Sequence, residues 1–255
     1  MLDLVDTHAH LDDQSFDADR SAMFGRASDV GVRRWIVPAI DRGNWETING
    51  LCAAREGVYP AYGLHPLLID RHRDEHLAEL PDWLQCHEAI AVGEIGLDFY
   101  VEGLNPTRQR EVFVRQLEIA RDHDLPVIVH ARRAFEEVIH TLRRFRGLRG
   151  VVHSFSGSEE QARQLFDLGF HLGIGGPVTY DRANRIRRVV ASMPLEWLLL
   201  ETDAPDQPCA HHRGERNEPA FMTDVLDTIA ALREESMEDI AAATTANAAK
   251  LFKLP

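Results

Sequence analysis

The sequence has few cysteines and no apolar run of membrane-spanning length. The three cysteines, Cys52, Cys86 and Cys209, lack CxxC spacing, which favours a reducing compartment and excludes a disulfide framework. The segment from Met1 to Leu4 has neither the basic nor the apolar stretch of a secretory leader. These absences predict a cytoplasmic protein with no membrane association and no evident obligate protein partner.

The sequence also has fewer basic than acidic residues. The sequence has 28 lysines and arginines against 41 acidic residues, and its formal net charge is −13. This sign is unfavourable for a protein that holds nucleic acid mainly by neutralising phosphates over a broad surface. Any binding of a polyanion must therefore be local, and bound divalent cations would supply concentrated positive charge for it.

Short apolar β-like runs alternate with amphipathic helical stretches along the whole sequence, which is the pattern of βα units on a parallel sheet. No linker divides the 255 residues, so we expect one domain over residues 1–255 with an α/β fold, a (β/α)₈ TIM barrel. An open doubly wound sheet is the alternative, but its glycine-rich phosphate-binding turn is missing. The predicted strands lie near residues 4–8, 34–40, 58–64, 90–95, 126–130, 150–154, 171–175 and 197–203.

The helices between them have recognisable ends. Ser158 to Gln161 matches a capping box, and Gly169 is placed to end that helix. Pro106 suits the first turn of another helix. Residues 218–232 and 236–252 are predicted to form the closing helices.

Several predicted strands end on a histidine or a carboxylate. In a barrel the carboxyl ends of the strands meet at one mouth, where catalytic groups collect. Histidines with carboxylates suit divalent cations, and a pair of cations can activate water for hydrolysis. The candidate metal ligands are His8, His10, Glu94, His130, His153 and Asp203.

All of these candidates except Asp203 have a structural alternative. His8 and His10 would share one face of a strand, with Asp6 placed to orient a histidine, but a packed or surface pair also fits HxH. Glu94 would be buried, which is unfavourable unless it is paired in a salt bridge or bound to metal. His130 and His153 could be satisfied core histidines. Asp203 could hold both a metal and the proton of the attacking water.

Lysine is almost absent. Lys250 and Lys253, both near the C-terminus, are the only two in the sequence. A barrel hydrolase that bridges its metals with a modified lysine is therefore excluded. Glu94, with two oxygens, is the only plausible bridge and joins Asp203 as a candidate catalytic residue.

Further polar residues follow the strands and are candidates for substrate binding. His65 could contact substrate, or it could belong to a helix-entry turn fixed by Pro66. Arg132 could grip an anionic group bidentately, or form a surface ion pair. Glycines 173, 175 and 176 could admit a phosphate or could reflect tight packing. Two arginine clusters, in residues 143–149 and 182–188, could be solvated helix faces or nucleic-acid contacts.

Together these motifs resemble the TatD-type metal-dependent deoxyribonucleases, and most closely the YjjV-like branch, from Asp6 to the C-terminal helix. The motifs that carry the resemblance are Asp6-Thr7-His8-Ala9-His10, Gly63-Leu64-His65-Pro66, Gly93-Glu94-Ile95-Gly96-Leu97-Asp98, His130-Ala131-Arg132, His153-Ser154-Phe155-Ser156-Gly157 and Glu201-Thr202-Asp203-Ala204-Pro205.

The resemblance implies a barrel of the amidohydrolase superfamily. It implies one metal on His8, His10, Glu94 and Asp203. It implies a second metal on Glu94, His130 and His153. Members of the family are described as 3′–5′ exonucleases on DNA, and some relatives remove mis-attached amino acids from tRNA.

The expected function is a two-metal phosphodiesterase that uses Zn²⁺, Mn²⁺ or Mg²⁺ and acts as a 3′–5′ exodeoxyribonuclease on single-stranded DNA ends. Nucleic acid is then a substrate, with the phosphate positioned by His65 and Arg132. The same cations could instead hydrolyse a carbonyl ester or aminoacyl-tRNA. A binding protein on a degenerate barrel is a third possibility, but the ligand set is complete.

Overall fold

A computed structural model of the protein describes residues 2–255. Met1, the first residue of the predicted domain and of the segment predicted to lack a secretory leader, lies outside the described residues. These residues form an eight-stranded sheet in which each strand pairs in parallel with the next along the chain. The last strand meets the first where the Thr7 N–H donates to the Leu200 carbonyl at 3.0 Å. The predicted (β/α)₈ barrel is therefore confirmed.

The strands are short and fall close to their predicted positions. They are β1 (Leu4–Asp6), β2 (Val32–Pro38), β3 (Val58–Tyr62), β4 (Ala91–Asp98), β5 (Val127–Arg132), β6 (Gly150–Val152), β7 (Phe170–Ile174) and β8 (Leu198–Leu200).

The helices surround the sheet, with short 3₁₀ turns in several loops. They are α1 (Arg20–Asp29), α2 (Trp45–Ala54), α3 (Asp74–Cys86), α4 (Pro106–Asp122), α5 (Phe135–Leu142), α6 (Glu159–Asp167), α7 (Asn184–Ser192), α8 (Met222–Leu232) and α9 (Met237–Phe252).

The predicted ends of α4 and α6 are confirmed, whereas the closing helix predicted from residue 218 begins at Met222, after a 3₁₀ turn at Pro219–Phe221. Ser158 and Gln161 form the capping box of α6, and Gly169 follows that helix with a φ of 90°. Pro106 opens α4 behind the Asn105 cap. None of the helices in the described range is both long and apolar enough to cross a membrane.

Six of the strands end earlier than predicted, and in three of them this changes where candidate site residues lie. β1, β6 and β8 stop at Asp6, Val152 and Leu200, so the histidines and carboxylates that follow them lie in loops. The left-handed backbone at Ser154 and Asp203, with φ of 45° and 59°, cannot continue a strand ladder. The prediction that His8 and His10 share one face of a strand is therefore wrong, because both residues lie beyond β1.

The amino end of the barrel is closed by the C-terminal helix. Leu251, Phe252 and Leu254 pack against inward side chains at the bottom of the sheet, among them Ile36 and Ile128. All eight residues of β4 are buried. The barrel is filled below, and its open side is the mouth at the carboxyl ends of the strands.

We expect Phe252→Ala to destabilise the fold, because the ring is 2% exposed and belongs to the apolar cluster at the bottom of the barrel. Loss of a buried phenyl ring lowers the free energy of unfolding by about 3–5 kcal/mol. Urea unfolding measures the change, with the exposed Lys250→Ala on the same helix as control. We call this closing contact of α9 the α9 plug. An equal loss of unfolding free energy in Phe252→Ala and in the control would contradict its role in stability.

Candidate metal centre

A cavity of about 730 Å³ opens at the mouth of the barrel. It brings together side chains from strands and loops that are far apart in the sequence. All the predicted site residues except His8 line it directly, and His8 is fully buried beneath. The cavity wall includes His10, His65, Glu94, His130, Arg132, His153 and Asp203.

A first set of donor atoms converges on one oxygen of Glu94. His8 Nε2 lies 3.2 Å from Glu94 Oε2 and 3.5 Å from Asp203 Oδ1. His10 Nε2 is 3.6 Å from each of the same two oxygens. The two imidazole nitrogens are 3.3 Å apart.

A second set converges on the other oxygen. His130 Nδ1 and His153 Nε2 lie 3.0 Å and 2.8 Å from Glu94 Oε1, and 3.1 Å from each other. Burial alone would raise the pKa of Glu94, but the surrounding histidines hold it well below its usual value. Glu94 therefore stands as a carboxylate between two groups of nitrogens, as its predicted bridging role requires.

These spacings fit metal ions. Four donors placed tetrahedrally about 2.0–2.1 Å from one ion lie roughly 3.3 Å from one another. The first set spans 3.2–3.6 Å, and the second set 2.8–3.1 Å. Histidine and carboxylate donors suit Zn²⁺ and Mn²⁺, so the residues present fit the implied cations.

The outer nitrogens of two of these histidines have clear acceptors. His10 Nδ1 lies 3.2 Å from the Pro38 carbonyl oxygen, and His130 Nε2 lies 2.9 Å from Asp98 Oδ2. An acceptor there places the proton on the outer nitrogen and leaves the inner one free to bind. The Asp98 role was not predicted, although Asp98 belongs to the motif that contains Glu94.

Glu201 is a second residue that sequence reasoning missed. Its carboxylate is fully buried, and Oε1 accepts from the Ser154 N–H at 2.5 Å. Its Oε2, His8 Nδ1 and His153 Nδ1 are all buried without a hydrogen-bond partner. One atom of each residue lies within 4.8 Å of the others, and His153 Nδ1 is 3.8 Å from Glu201 Oε1. Glu201 is thus the carboxylate beside the outer nitrogen of His153, and it lies close to the His8 ring.

Burial raises the pKa of Glu201 to about 8. Burial works against protonation of His153, but the Glu94, Glu201 and Asp203 carboxylates outweigh it and raise the pKa of His153 to about 10. The apolar run Leu198–Leu200 before Glu201 was the available signal. It shows burial, but it does not show which loop the carboxylate meets.

Asp203 is held by the loop that follows it. Gln207 Nε2 donates to Asp203 Oδ2, while Gln207 Oε1 accepts from the Ser154 hydroxyl at 2.7 Å. Asp203 Oδ1 faces the first donor set. Burial raises the pKa of Asp203 above its usual value.

Asp6 does not orient a histidine ring, so that prediction was wrong. Its Oδ2 accepts from the Thr202 hydroxyl at 2.6 Å, and its Oδ1 accepts from the backbone N–H groups of Thr202 and His8. Burial raises the pKa of Asp6 to about 7. Asp6 instead joins the loop after β1 to the loop after β8.

The structure shows the helix-entry turn at His65, and contact of this residue with substrate stays a prediction. Its Nδ1 accepts from the Leu67 N–H at 3.1 Å, which caps the 3₁₀ turn at Pro66. Its Nε2 then carries the proton and donates to Glu94 Oε1 at 2.9 Å. Burial lowers the pKa of His65 to about 4. The ring lines the cavity as a neutral donor.

Arg132 lies at the cavity wall with an exposed side chain. Among residues 2–255 it forms no ion pair, so the surface ion-pair alternative is not what the structure has. Its guanidinium carbon lies 3.7 Å above the centre of the Tyr100 ring.

The three glycines of the seventh strand and its loop are explained by packing. A Cβ at Gly173 would lie 2.1 Å from Glu201 Oε2, and one at Gly176 would lie 2.2 Å from the Gln207 carbonyl oxygen. A Cβ at Gly175 would meet Glu201 Cγ at 3.3 Å. The space that a side chain would need is occupied by protein groups, and Gly173 is what admits the Glu201 carboxylate.

The two arginine clusters lie at opposite ends of the barrel. Residues 143–149 lead from α5 to the start of β6, at the closed end, where Arg149 pairs with Asp124. Residues 182–188 precede and begin α7, at the mouth. Ile186 of this second cluster lines the cavity.

Comparison with known proteins gives the family. A family model described as TatD related DNase matches residues 5–253. The chain belongs to the TatD family of metal-dependent hydrolases. It is 40% identical over 254 residues to the uncharacterized metal-dependent hydrolase YjjV of Escherichia coli K12, covering 98% of each chain. It is 37% identical to the metal-dependent hydrolase YabD of Bacillus subtilis 168, covering 98% of this chain and 99% of that one.

Solved structures agree with the barrel. The crystal structure of Escherichia coli YjjV has a TM-score of 0.96 at 39% identity and covers 99% of this chain and 98% of that one. An uncharacterized amidohydrolase from Saccharomyces cerevisiae has a TM-score of 0.88 at 20% identity over 99% and 100% of the two chains, a likeness of fold alone. The resemblance to the YjjV-like branch and the amidohydrolase-like fold are confirmed.

The position of Glu201 predicts that this residue strengthens metal binding in this TatD family member. A histidine that binds a metal through Nε2 carries its proton on Nδ1, and an acceptor there strengthens binding. We expect Glu201→Ala to weaken metal affinity by about 10- to 100-fold, as for other orienting carboxylates. Glu201→Gln, which keeps an acceptor oxygen, should lose less.

Titration calorimetry of the metal-free proteins with Zn²⁺ or Mn²⁺ measures the affinity, and nitrogen-15 NMR reports which ring nitrogen of His8 and His153 is protonated. The exposed Asp206→Asn is the control. Wild-type affinity and unchanged tautomers in Glu201→Ala would show that Glu201 is only a packing residue.

Proposed function

We propose that the protein is a two-metal phosphodiesterase that releases nucleotides from the 3′ end of single-stranded DNA. The observation that carries the proposal is the placement of separate donor sets on the two oxygens of the buried Glu94. The match to the TatD related DNase model supports the choice of a phosphodiester as substrate. The cytoplasm is the proposed location, in keeping with free Cys52, Cys86 and Cys209.

Two divalent cations held there would lower the pKa of a water molecule and stabilise negative charge on the phosphate. Asp203 is suited to accept the proton of the attacking water. Its Oδ1 faces the first donor set, its Oδ2 is fixed by Gln207, and its raised pKa increases its basicity. His65 keeps Glu94 in place with its Nε2 donor, at the wall where the phosphate would lie.

The distribution of charge at the mouth supports an anionic substrate. Arg132, Arg182 and Arg185 are exposed and, within the described range, form no ion pair. Arg132 ends β5, Arg182 lies in the loop after β7, and Arg185 lies in the first turn of α7. A chain with a net charge of −13 thus offers guanidinium groups without ion-pair partners at the mouth, and Arg132 lines the cavity itself. Such a restricted site suits a frayed end better than a long duplex.

We expect metal-dependent shortening of a 5′-labelled single strand that has a free 3′ end, with release of mononucleotides. A closed circular single strand should resist, since it presents no end. The protein is stripped with a chelator, reloaded separately with Zn²⁺, Mn²⁺ or Mg²⁺, and assayed on both strands. Increasing salt should weaken cleavage less steeply than for a nuclease that contacts many phosphates.

The rival chemistry is tested in the same assay. If labelled strands stay intact with every metal while carbonyl esters or D-aminoacyl-tRNA are cleaved by the same preparation, the nuclease proposal is wrong. The cations would then serve a carbonyl substrate.

The roles of Glu94 and Asp203 can be distinguished by the metal content and turnover of two variants. Glu94→Ala should lose both ions and activity, because each donor set uses one oxygen of Glu94. Asp203→Asn keeps a neutral oxygen donor and should retain more metal, while turnover falls roughly 10²-fold through loss of proton transfer. Elemental analysis and single-turnover assays measure both, with Asp227→Asn, at an exposed aspartate of α8 outside the cavity wall, as the matched control. Near-normal turnover in Asp203→Asn would refute the assignment.

A further inference from the structure

Three large apolar side chains are exposed among residues 2–255, and all follow strands at the mouth. Ile40 comes after β2, and Tyr100 and Val101 come after β4, with exposures of 36%, 46% and 40%. The bottom of the barrel has no counterpart within that range. All three thus lie at the end of the barrel where the cavity opens, the face that a substrate would contact.

The Tyr100 ring is associated with cations. Arg132 and Arg133 place their guanidinium carbons 3.7 Å and 4.7 Å from its centre. Neither arginine forms an ion pair with any described residue. Arg132 also lines the cavity that holds the donor sets, so the ring stands directly beside that cavity.

Asp98 fixes this ring relative to the metal centre. Its Oδ1 accepts from the Tyr100 N–H at 2.8 Å and the Val101 N–H at 3.2 Å, while its Oδ2 meets His130 Nε2 at 2.9 Å. Gln109 of α4 holds the Asp98 backbone from below, with bonds of 2.8 Å and 2.9 Å to its N–H and carbonyl. One buried carboxylate thus links a donor histidine to the Tyr100 turn.

We propose that Tyr100, with Arg132 and Arg133, forms a subsite for one nucleobase of a single-stranded substrate. This subsite rests on the proposed nuclease function and specifies how that substrate is held. An aromatic face binds a base of any sequence by stacking, and adjacent guanidinium groups bind the phosphates that flank it. A single-stranded nucleic acid is the ligand that offers both groups at this spacing.

The opposite side of the cavity is unsuited to the strand. Asp12, Asp13 and Asp206 line the wall next to β1 and β8. A polyanion therefore approaches over β4 and β5, across Tyr100 and Arg132. This direction brings its terminal phosphate towards Glu94 and His130, which lie on the same two strands.

Binding of labelled oligonucleotides to the metal-loaded protein tests the subsite. Each short strand is compared with a matched strand that lacks one base at successive positions from the 3′ end. In the wild type, loss of the stacked base should weaken binding about 10-fold. Tyr100→Ala should remove that preference and leave affinity for the abasic strand unchanged. Tyr100→Phe should keep the preference, whereas Arg132→Ala should weaken binding of both strands.

Phe166→Ala is the control, because this aromatic residue of α6 stacks on Trp197, away from the mouth, at a ring distance of 4.2 Å. A base preference that survives in Tyr100→Ala, with strands still cleaved, overturns the subsite and leaves the nuclease proposal standing. A wild-type protein that neither binds nor cleaves any of the strands overturns both.

Discussion

A carboxylate buried at the centre of the barrel mouth sets the conditions for the rest of the site. Glu94 is 1% exposed and remains charged, which is unfavourable unless compensating groups surround it. Within the described chain, nitrogens of five histidines lie within 3.6 Å of its oxygens. These histidines come from strand β5, from the loops after β3 and β6, and from the HxH segment, so the requirement to neutralise one side chain brings together most of the barrel mouth.

The histidines in turn need partners on their outer sides. The Pro38 carbonyl and Asp98 accept from His10 and His130, and the Glu201 carboxylate lies beside His8 and His153. Gly173 gives Glu201 its space, and Gln109 holds Asp98. The centre therefore consists of a carboxylate core, a layer of imidazoles and an outer layer of acceptors. Each layer restricts the rotation of the one inside it.

The sequence was sufficient for the inner layers and not for the outer one. Alternation of short apolar runs with amphipathic helices indicated eight strands, and polar residues after those runs marked the donors that the structure brings together. Asp98 and Glu201 could not be assigned because their roles depend on contacts between distant elements. Glu201, for example, meets Ser154 of one loop and Gly173 of another strand. Asp6 was misassigned because a shared strand face was assumed beyond the end of β1.

The two ends of the barrel differ in what they contribute. The closed end is an apolar contact between α9 and the sheet, with Ile36, Ile128 and Phe252 almost wholly buried. The mouth contains buried polar atoms without partners and left-handed backbone at Ser154, Asp203 and Gln207. Each left-handed residue of this kind lowers the stability of the fold by about 1–2 kcal/mol.

Unfavourable terms of this kind thus lie where the donor atoms converge, and apolar contacts that offset them lie at the far end. Separation of this kind lets loop residues at the mouth adopt conformations set by Glu94 and its partners. The strands beneath, held by their own ladder and by the α9 plug, keep the loops in register. Substitutions at the closed end should therefore act on stability, whereas those around Glu94 act on the site itself.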